Sequence, residues 1–215
     1  IKFFTNYNHM TKKNDICFLY LHGYRSSPDS TKATFIKKYC DENFIDFYCP
    51  PLSLNPKIAI IEIQTILSNI YSLKKHIVVF GSSLGGFYAA WILENNFKEY
   101  NFYAVFLNPS TNPSKDLKDE VQDTKSWQEK ATGVESFKQE YLDYLVSMEE
   151  NLVNGNNFKE NSLLVSAKGD ELLNWKDMVN FFPNCKHYII EGSDHSITNF
   201  PMHWQFITDF IFNRG

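Results

Sequence analysis

Ser83 stands in Gly81-Ser82-Ser83-Leu84-Gly85, a G-x-S-x-G pattern that directly follows the apolar run 77–80 (IVVF) and precedes a segment of helical period. That context, strand then turn then helix, is what a nucleophile elbow requires. The turn must be so tight that side chains two positions to either side of the serine would collide, hence glycine at 81 and 85. A serine hydroxyl is a weak nucleophile at neutral pH, so it needs a positioned base, and that base needs an acceptor to fix its tautomer and stabilise its cation. His195, in Gly192-Ser193-Asp194-His195, lies just past the run 187–190 (HYII), and Asp170, in Gly169-Asp170-Glu171, lies just past 162–167 (SLLVSA). Ser83, His195 and Asp170 together suit acyl transfer through a covalent intermediate. Glu171 is the neighbour that could replace Asp170, whereas Asp194 is too close in the chain to reach the far nitrogen of His195 easily.

Such chemistry also needs donors for a developing oxyanion. His22-Gly23-Tyr24-Arg25 directly follows the run 16–21 (ICFLYL), where an H-G turn lets a backbone N–H face the elbow. The expected donors are the backbone N–H groups of Tyr24 and Leu84. His22 reads as a structural histidine bonded to local backbone, and Arg25 as either a binder of an anionic substrate group or half of a surface pair. Of the other histidines, His9 reads as solvated, His76 and His187 begin strands, and His203 lies on the last helix. Six of the nine glycines (23, 81, 85, 86, 169 and 192) fall in these proposed site loops, so conformational freedom is concentrated there.

Elements that could hold these loops together follow from periodicity. Short apolar runs at 16–21, 45–49, 77–80, 103–107, 162–167 and 187–190 alternate with helical segments at 30–43, 56 onward, 83–95, 172–182 and 202–213. Residues 1–7 add a candidate edge strand. This alternation, with few hairpin turns, predicts a parallel sheet covered by helices, and places the site loops at the carboxyl ends of strands. The order Ser83, Asp170, His195 is that of an α/β-hydrolase. The expected fold is therefore α/β: a mostly parallel central sheet with helices on both faces, residues 1–215 as one domain, and a helical insertion over 110–161 counted as following the sixth strand. Within the insertion, Phe137, Tyr141, Tyr144, Leu145 and Met148 recur at helical spacing over 134–153. That segment is either a lid over a pocket or an ordinary amphipathic crossover.

Composition bounds the partners. With 215 residues, 43% of them apolar, an ordinary core suffices without disulfide or metal staples. A formal charge of -4, with basic residues forming no cluster longer than a pair, argues against nucleic acid as a partner. Cys17, Cys40, Cys49 and Cys185 lie too far apart for a zinc site and read as idle thiols. No run is long enough for a membrane span and no leader pattern opens the chain, so a cytoplasmic setting is expected, although the chain begins with Ile1 rather than Met.

Longer strings carry a family resemblance. Residues 21–33 (LHGYRSSPDSTKA), Pro50-Pro51-Leu52, 78–91 (VVFGSSLGGFYAAW), Leu107-Asn108-Pro109, Gly169-Asp170-Glu171 and 191–196 (EGSDHS) together resemble the YqiA-like group of small bacterial α/β-hydrolase esterases. Only 110–161 matches weakly. The resemblance implies a cytoplasmic hydrolase of small-molecule carboxylic esters or acyl thioesters, with Ser83 as nucleophile, Asp170 as acid, His195 as base, and no cofactor. Arg25 stands where the family often has Asn, Ser193 where a second Gly is common, and Ile197 where Phe is usual. Other readings are a non-catalytic binding protein that keeps the hydrolase fold and a peptidase-type serine hydrolase using the same triad. Nucleotide binding is weaker, because G-S-S-L-G-G fits neither a dinucleotide fingerprint nor a Walker loop.

Overall fold

The computed structural model describes residues 15–73, 76–96, 102–121, 135–152 and 154–212. Six strands, β1 (Ile16–Leu21), β2 (Asp46–Tyr48), β3 (His76–Ser82), β4 (Phe102–Leu107), β5 (Ser162–Ala167) and β6 (Lys186–Ile190), form one sheet in the order β2-β1-β3-β4-β5-β6. Every pairing among them is parallel. The helices are α1 (Thr31–Asn43), α2 (Pro56–Leu73), α3 (Leu84–Asn96), the single turn α4 (Pro113–Asp116), α5 (Gln139–Glu150), α6 (Trp175–Phe181) and α7 (Phe200–Phe212), with a short 3₁₀ turn at Lys118–Glu120. The fold is α/β, as expected. The candidate strand at 1–7 lies outside the described residues.

The inner strands are largely apolar because both faces of the sheet are covered, with Ser162 and Ser166 of β5 and Ser82 of β3 as buried exceptions. Successive side chains alternate faces, so Cys17, Leu19 and Leu21 of β1 join one core with Ile77 and Val79 of β3, Ala59 and Ile63 of α2 and Phe87 of α3. Phe18 and Tyr20 join the other, with Val78, Phe80, Ile36 of α1, and Trp204 and Ile207 of α7.

The insertion leaves the sheet after β4, the fourth described strand in chain order, which corrects its placement after a sixth. Among the described residues β5 and β6 follow it. Within it, α5 buries Tyr141, Leu145 and Met148 in the same core as α2 and α3. Over these residues the helix packs as a crossover would. Residues 122–134, the rest of the lid alternative, lie outside the described residues.

From β1 the chain steps outward to β2, and from β3 it steps the opposite way to β4, so the strand order reverses between β1 and β3. In open parallel sheets that is where a crevice opens at the carboxyl edge. Leu21 pairs with Gly81 there, which sets the loop after β1 against the loop after β3.

Candidate active site

Ser83 occupies the single residue between β3 and α3, and its φ is +53°. Left-handed backbone is costly for a residue with a Cβ, and packing on both sides holds it there. A methyl on Gly81 would stand 2.6 Å from the Gly85 carbonyl oxygen, and one on Gly85 would land on the Leu21 carbonyl oxygen. Two backbone bonds pin the elbow: Ser83 N–H donates to the Leu107 carbonyl at 3.1 Å, and Ser110 N–H donates to the Ser83 carbonyl at 3.0 Å.

His195 Nε2 lies 3.0 Å from Ser83 Oγ, and its Nδ1 lies 2.8 Å from Asp170 Oδ2. The Asp170 side chain is 0% exposed and that of His195 16%. Asp170 Oδ1 accepts from the N–H groups of Leu172 and Leu173, at 2.9 and 2.8 Å. The carboxylate is thus fully bonded although buried, and its free geometry is aimed at one imidazole nitrogen. With Nδ1 donating to Asp170, Nε2 is left to accept the Ser83 hydroxyl proton.

Three further side chains grip the backbone around His195. Glu171 Oε2 accepts from His195 N–H at 2.9 Å, so this carboxylate holds the loop while Asp170 holds the ring. Asn108, fully buried at the end of β4, donates through Nδ2 to the carbonyls of Asp194 and His195 at 3.1 and 3.0 Å. Its Oδ1 accepts from Ala167 N–H at 2.8 Å, where the Asp170 loop begins. Lys32 Nζ, on α1, donates to the Ser196 carbonyl at 2.6 Å. Burial pushes the Lys32 ammonium down to about 8, against the pull of Asp194 and Asp170. Sequence reasoning missed the roles of Asn108 and Lys32. Their signal was positional: Asn108 sits directly past a strand end and has φ +41°, a left-handed angle that asparagine tolerates better than most residues.

His22 is bonded to local backbone, as expected. Its Nδ1 lies 3.0 Å from the Gly23 carbonyl, and Nε2 accepts from Leu52 N–H at 3.2 Å. Burial lowers its pKa. Gly23 lies directly against the serine, since a methyl there would stand 2.9 Å from Ser83 Cβ. The neighbouring Arg25 pairs with Glu120 at 3.1 Å, and the Tyr24 hydroxyl donates to the same carboxylate at 3.2 Å. The surface-pair alternative for Arg25 therefore describes its contact. Arg25, Ser193 and Ile197, the three departures from the family strings, all have positive φ, at 52°, 63° and 49°. Asparagine and glycine suit such backbone at the first two positions.

A cleft of about 190 Å³ opens beside the elbow, lined by Gly23, Tyr24, Arg25, Leu52, Leu84 and Tyr88 among others. Both expected oxyanion residues, Tyr24 and Leu84, are in its wall. A second cleft of about 190 Å³ lies between Pro109–Asp116 and Leu172–Met178. Burial raises the Asp116 carboxyl there, although the Ser110 hydroxyl donates to it at 2.6 Å and works the other way. Burial also pushes the thiols of Cys49 and Cys185 up to about 12 and that of Cys40 higher still, which makes them poor nucleophiles.

A family model matches residues 17–212, nearly the whole chain, and so includes every residue of this site. The chain belongs to the uncharacterised protein family UPF0227. This is the YqiA-like family that the sequence strings resemble. Among solved structures, UPF0227's fold recurs in Est1E of Butyrivibrio proteoclasticus, solved with ferulic acid bound, at 14% identity and a TM-score of 0.71 over 94% of this chain and 88% of that one. The mouse α/β hydrolase domain-containing protein 10 is similar at 12% identity and a TM-score of 0.66, covering 94% and 92%. The Pyrococcus furiosus esterase Pf2001 is similar at 16% identity and 0.66, covering 92% and 82%. At such identities the likeness establishes the α/β-hydrolase fold. No described helix is long and apolar enough to cross a membrane.

Proposed function

We propose that this chain is a serine hydrolase that cleaves small carboxylic esters or acyl thioesters through an acyl-enzyme on Ser83. One observation carries the reading: a hydroxyl held on a strained turn at 3.0 Å from an imidazole whose other nitrogen is 2.8 Å from a buried carboxylate. Ser83 Oγ attacks the carbonyl carbon as its proton passes to His195 Nε2, and the carbonyl π pair moves to oxygen. The N–H groups of Tyr24 and Leu84 receive that oxyanion. As the tetrahedral intermediate collapses, the imidazolium returns the proton to the departing alcohol or thiol. Water, deprotonated by the same nitrogen, then attacks the acyl carbon and frees Ser83. Asp170 stays ionised throughout and stabilises the imidazolium.

The whole chain acts in this reading as one α/β-hydrolase domain in a reducing cytoplasm, a setting that suits four free thiols. The test is turnover of p-nitrophenyl acetate and butyrate by the native protein and by Ser83→Ala. Loss of about 10⁶-fold is expected, and equal turnover by the two proteins would refute the mechanism. Failure of a fluorophosphonate to label Ser83 in folded protein would favour a binding protein that merely keeps the fold.

A further inference from the structure

The second cleft, of about 190 Å³, is tied to the reacting groups through both of its walls. One wall follows β4 and runs from Pro109 to Asp116; within that stretch the Ser110 N–H bonds the Ser83 carbonyl. The other follows β5, where Leu172 and Leu173 hold Asp170 through their N–H groups. His195 is among the charges that act on the Asp116 carboxyl.

Sheet order decides which half of a substrate meets this cleft. Ser83 follows β3, with β1 on one side and β4, β5 and β6 in turn on the other. In the proposed reaction the oxyanion donors belong to the loop after β1 and to the start of α3. The imidazole comes instead from the loop after β6, across the carboxyl ends of β5 and β4. A leaving oxygen must take its proton from His195 Nε2, so it lies on the imidazole side of the tetrahedral carbon. The group it carries away therefore points over β4 and β5, where the second cleft opens.

The walls also specify a chemical class. Asn112 Oδ1 accepts from Lys115 N–H at 3.3 Å and Asn174 Oδ1 from Lys176 N–H at 3.1 Å, which leaves the two Nδ2 groups as donors. Asp116 gives Oδ2 to the Ser110 hydroxyl and keeps Oδ1 as an acceptor, and Asp177 adds a second exposed carboxylate. A hydroxyl both donates and accepts, so two walls that each carry an amide and a carboxylate suit the successive hydroxyls of a polyol. Leu172, 69% exposed although two residues from the buried Asp170, offers apolar surface to the carbon chain. Lys115 is the single ammonium in the lining against two carboxylates, so the phosphates of a coenzyme A thioester find no net attraction there. The volume falls short of the roughly 300 Å³ at which drug-sized sites begin, which restricts the group to a few carbons.

We propose that this second cleft is the leaving-group subsite and that it takes small polyhydric alcohols, so that the substrate is an ester of a glycerol-like polyol and not an acyl-coenzyme A. The inference rests on the esterase reading and deepens it by naming the alcohol.

The test compares 1-monobutyrin with propyl butyrate, which share the acyl group and a three-carbon leaving chain and differ in two hydroxyls, and with butyryl-coenzyme A. Each kcat/KM is divided by the substrate's rate constant with hydroxide, which removes intrinsic reactivity. The native protein should favour monobutyrin over propyl butyrate by about tenfold, the worth of one hydrogen bond to a charged acceptor. In Asp177→Ala and in Asp116→Asn that ratio should fall toward one; a ratio unchanged in both variants overturns the assignment to this cleft. Equal normalised rates for the two esters in the native protein, or faster turnover of butyryl-coenzyme A than of monobutyrin, overturn the inference and leave hydrolysis at Ser83 intact. These measurements on the native protein stand even if a variant does not fold. Absence of turnover for every substrate, with Ser83 unlabelled by a fluorophosphonate, overturns the esterase reading as well.

Discussion

Asn108→Asp isolates the grip on the base from the base itself. The substitution keeps the shape, the tolerance for φ +41° and an oxygen that can accept from Ala167 N–H, but it replaces the amide donor that bonds the carbonyls of Asp194 and His195 at 3.1 and 3.0 Å. Two acceptors on half-buried residues then lose their partner and face a carboxylate. At about 1–3 kcal/mol for each unsatisfied buried group, the loss is about 2–6 kcal/mol, reduced if the new carboxyl takes up a proton and restores one bond. For a chain of this size each kcal/mol moves the melting temperature by about 2–4 °C, so a fall between about 4 and about 24 °C is expected. The catalytic consequence is separate. Freed of Asn108, the His195 loop can drift, and a misplacement of about 1 Å costs on the order of 10²-fold. The cleft walls are untouched, so kcat should fall by about 10- to 100-fold with KM nearly constant. The assay is ester turnover well below the variant's melting temperature, alongside thermal unfolding. If the melting temperature falls as calculated but kcat is unchanged, Asn108 supports the fold and does not position the base.

Two further outcomes follow from the geometry. Asp170→Asn keeps an oxygen for Leu172 and Leu173 N–H but offers His195 Nδ1 an amide in the wrong role, so kcat should drop by about 10⁴-fold with little change in melting temperature; a loss under tenfold in steady-state kinetics would contradict the tautomer argument. Because burial holds His22 below the usual 6.5, the unfolded chain takes up this proton before the folded one does, and stability falls as pH drops from 6.5 through that lower value. Thermal unfolding of His22→Gln between pH 6.5 and 5 should show a flatter decline than the native protein, and parallel curves would refute the linkage.

Largely apolar runs, alternating with helical period, were enough to read the parallel sheet, because a strand covered on both faces has few polar positions to spare. The same local logic exposed the elbow: G-x-S-x-G between a strand and a helix is a steric statement about five consecutive residues, and the left-handed Ser83 bears it out. Gly169-Asp170 and Asp194-His195 were visible as loops past strand ends for the same reason. The six apolar runs match the six described strands, four of them before the insertion, so placing the insertion after a sixth strand miscounted its position and not the runs themselves. Tertiary structure alone decided what depends on distance across the sheet: that Glu171 holds the His195 backbone while Asp170 takes its ring, that Asn108 ties two loops 59 and 87 residues away, and that the Tyr88 hydroxyl is left without a partner. Periodicity reports which face of an element is buried, whereas the partner a buried polar atom finds is set by strand order and register, which bring together residues that no local pattern relates.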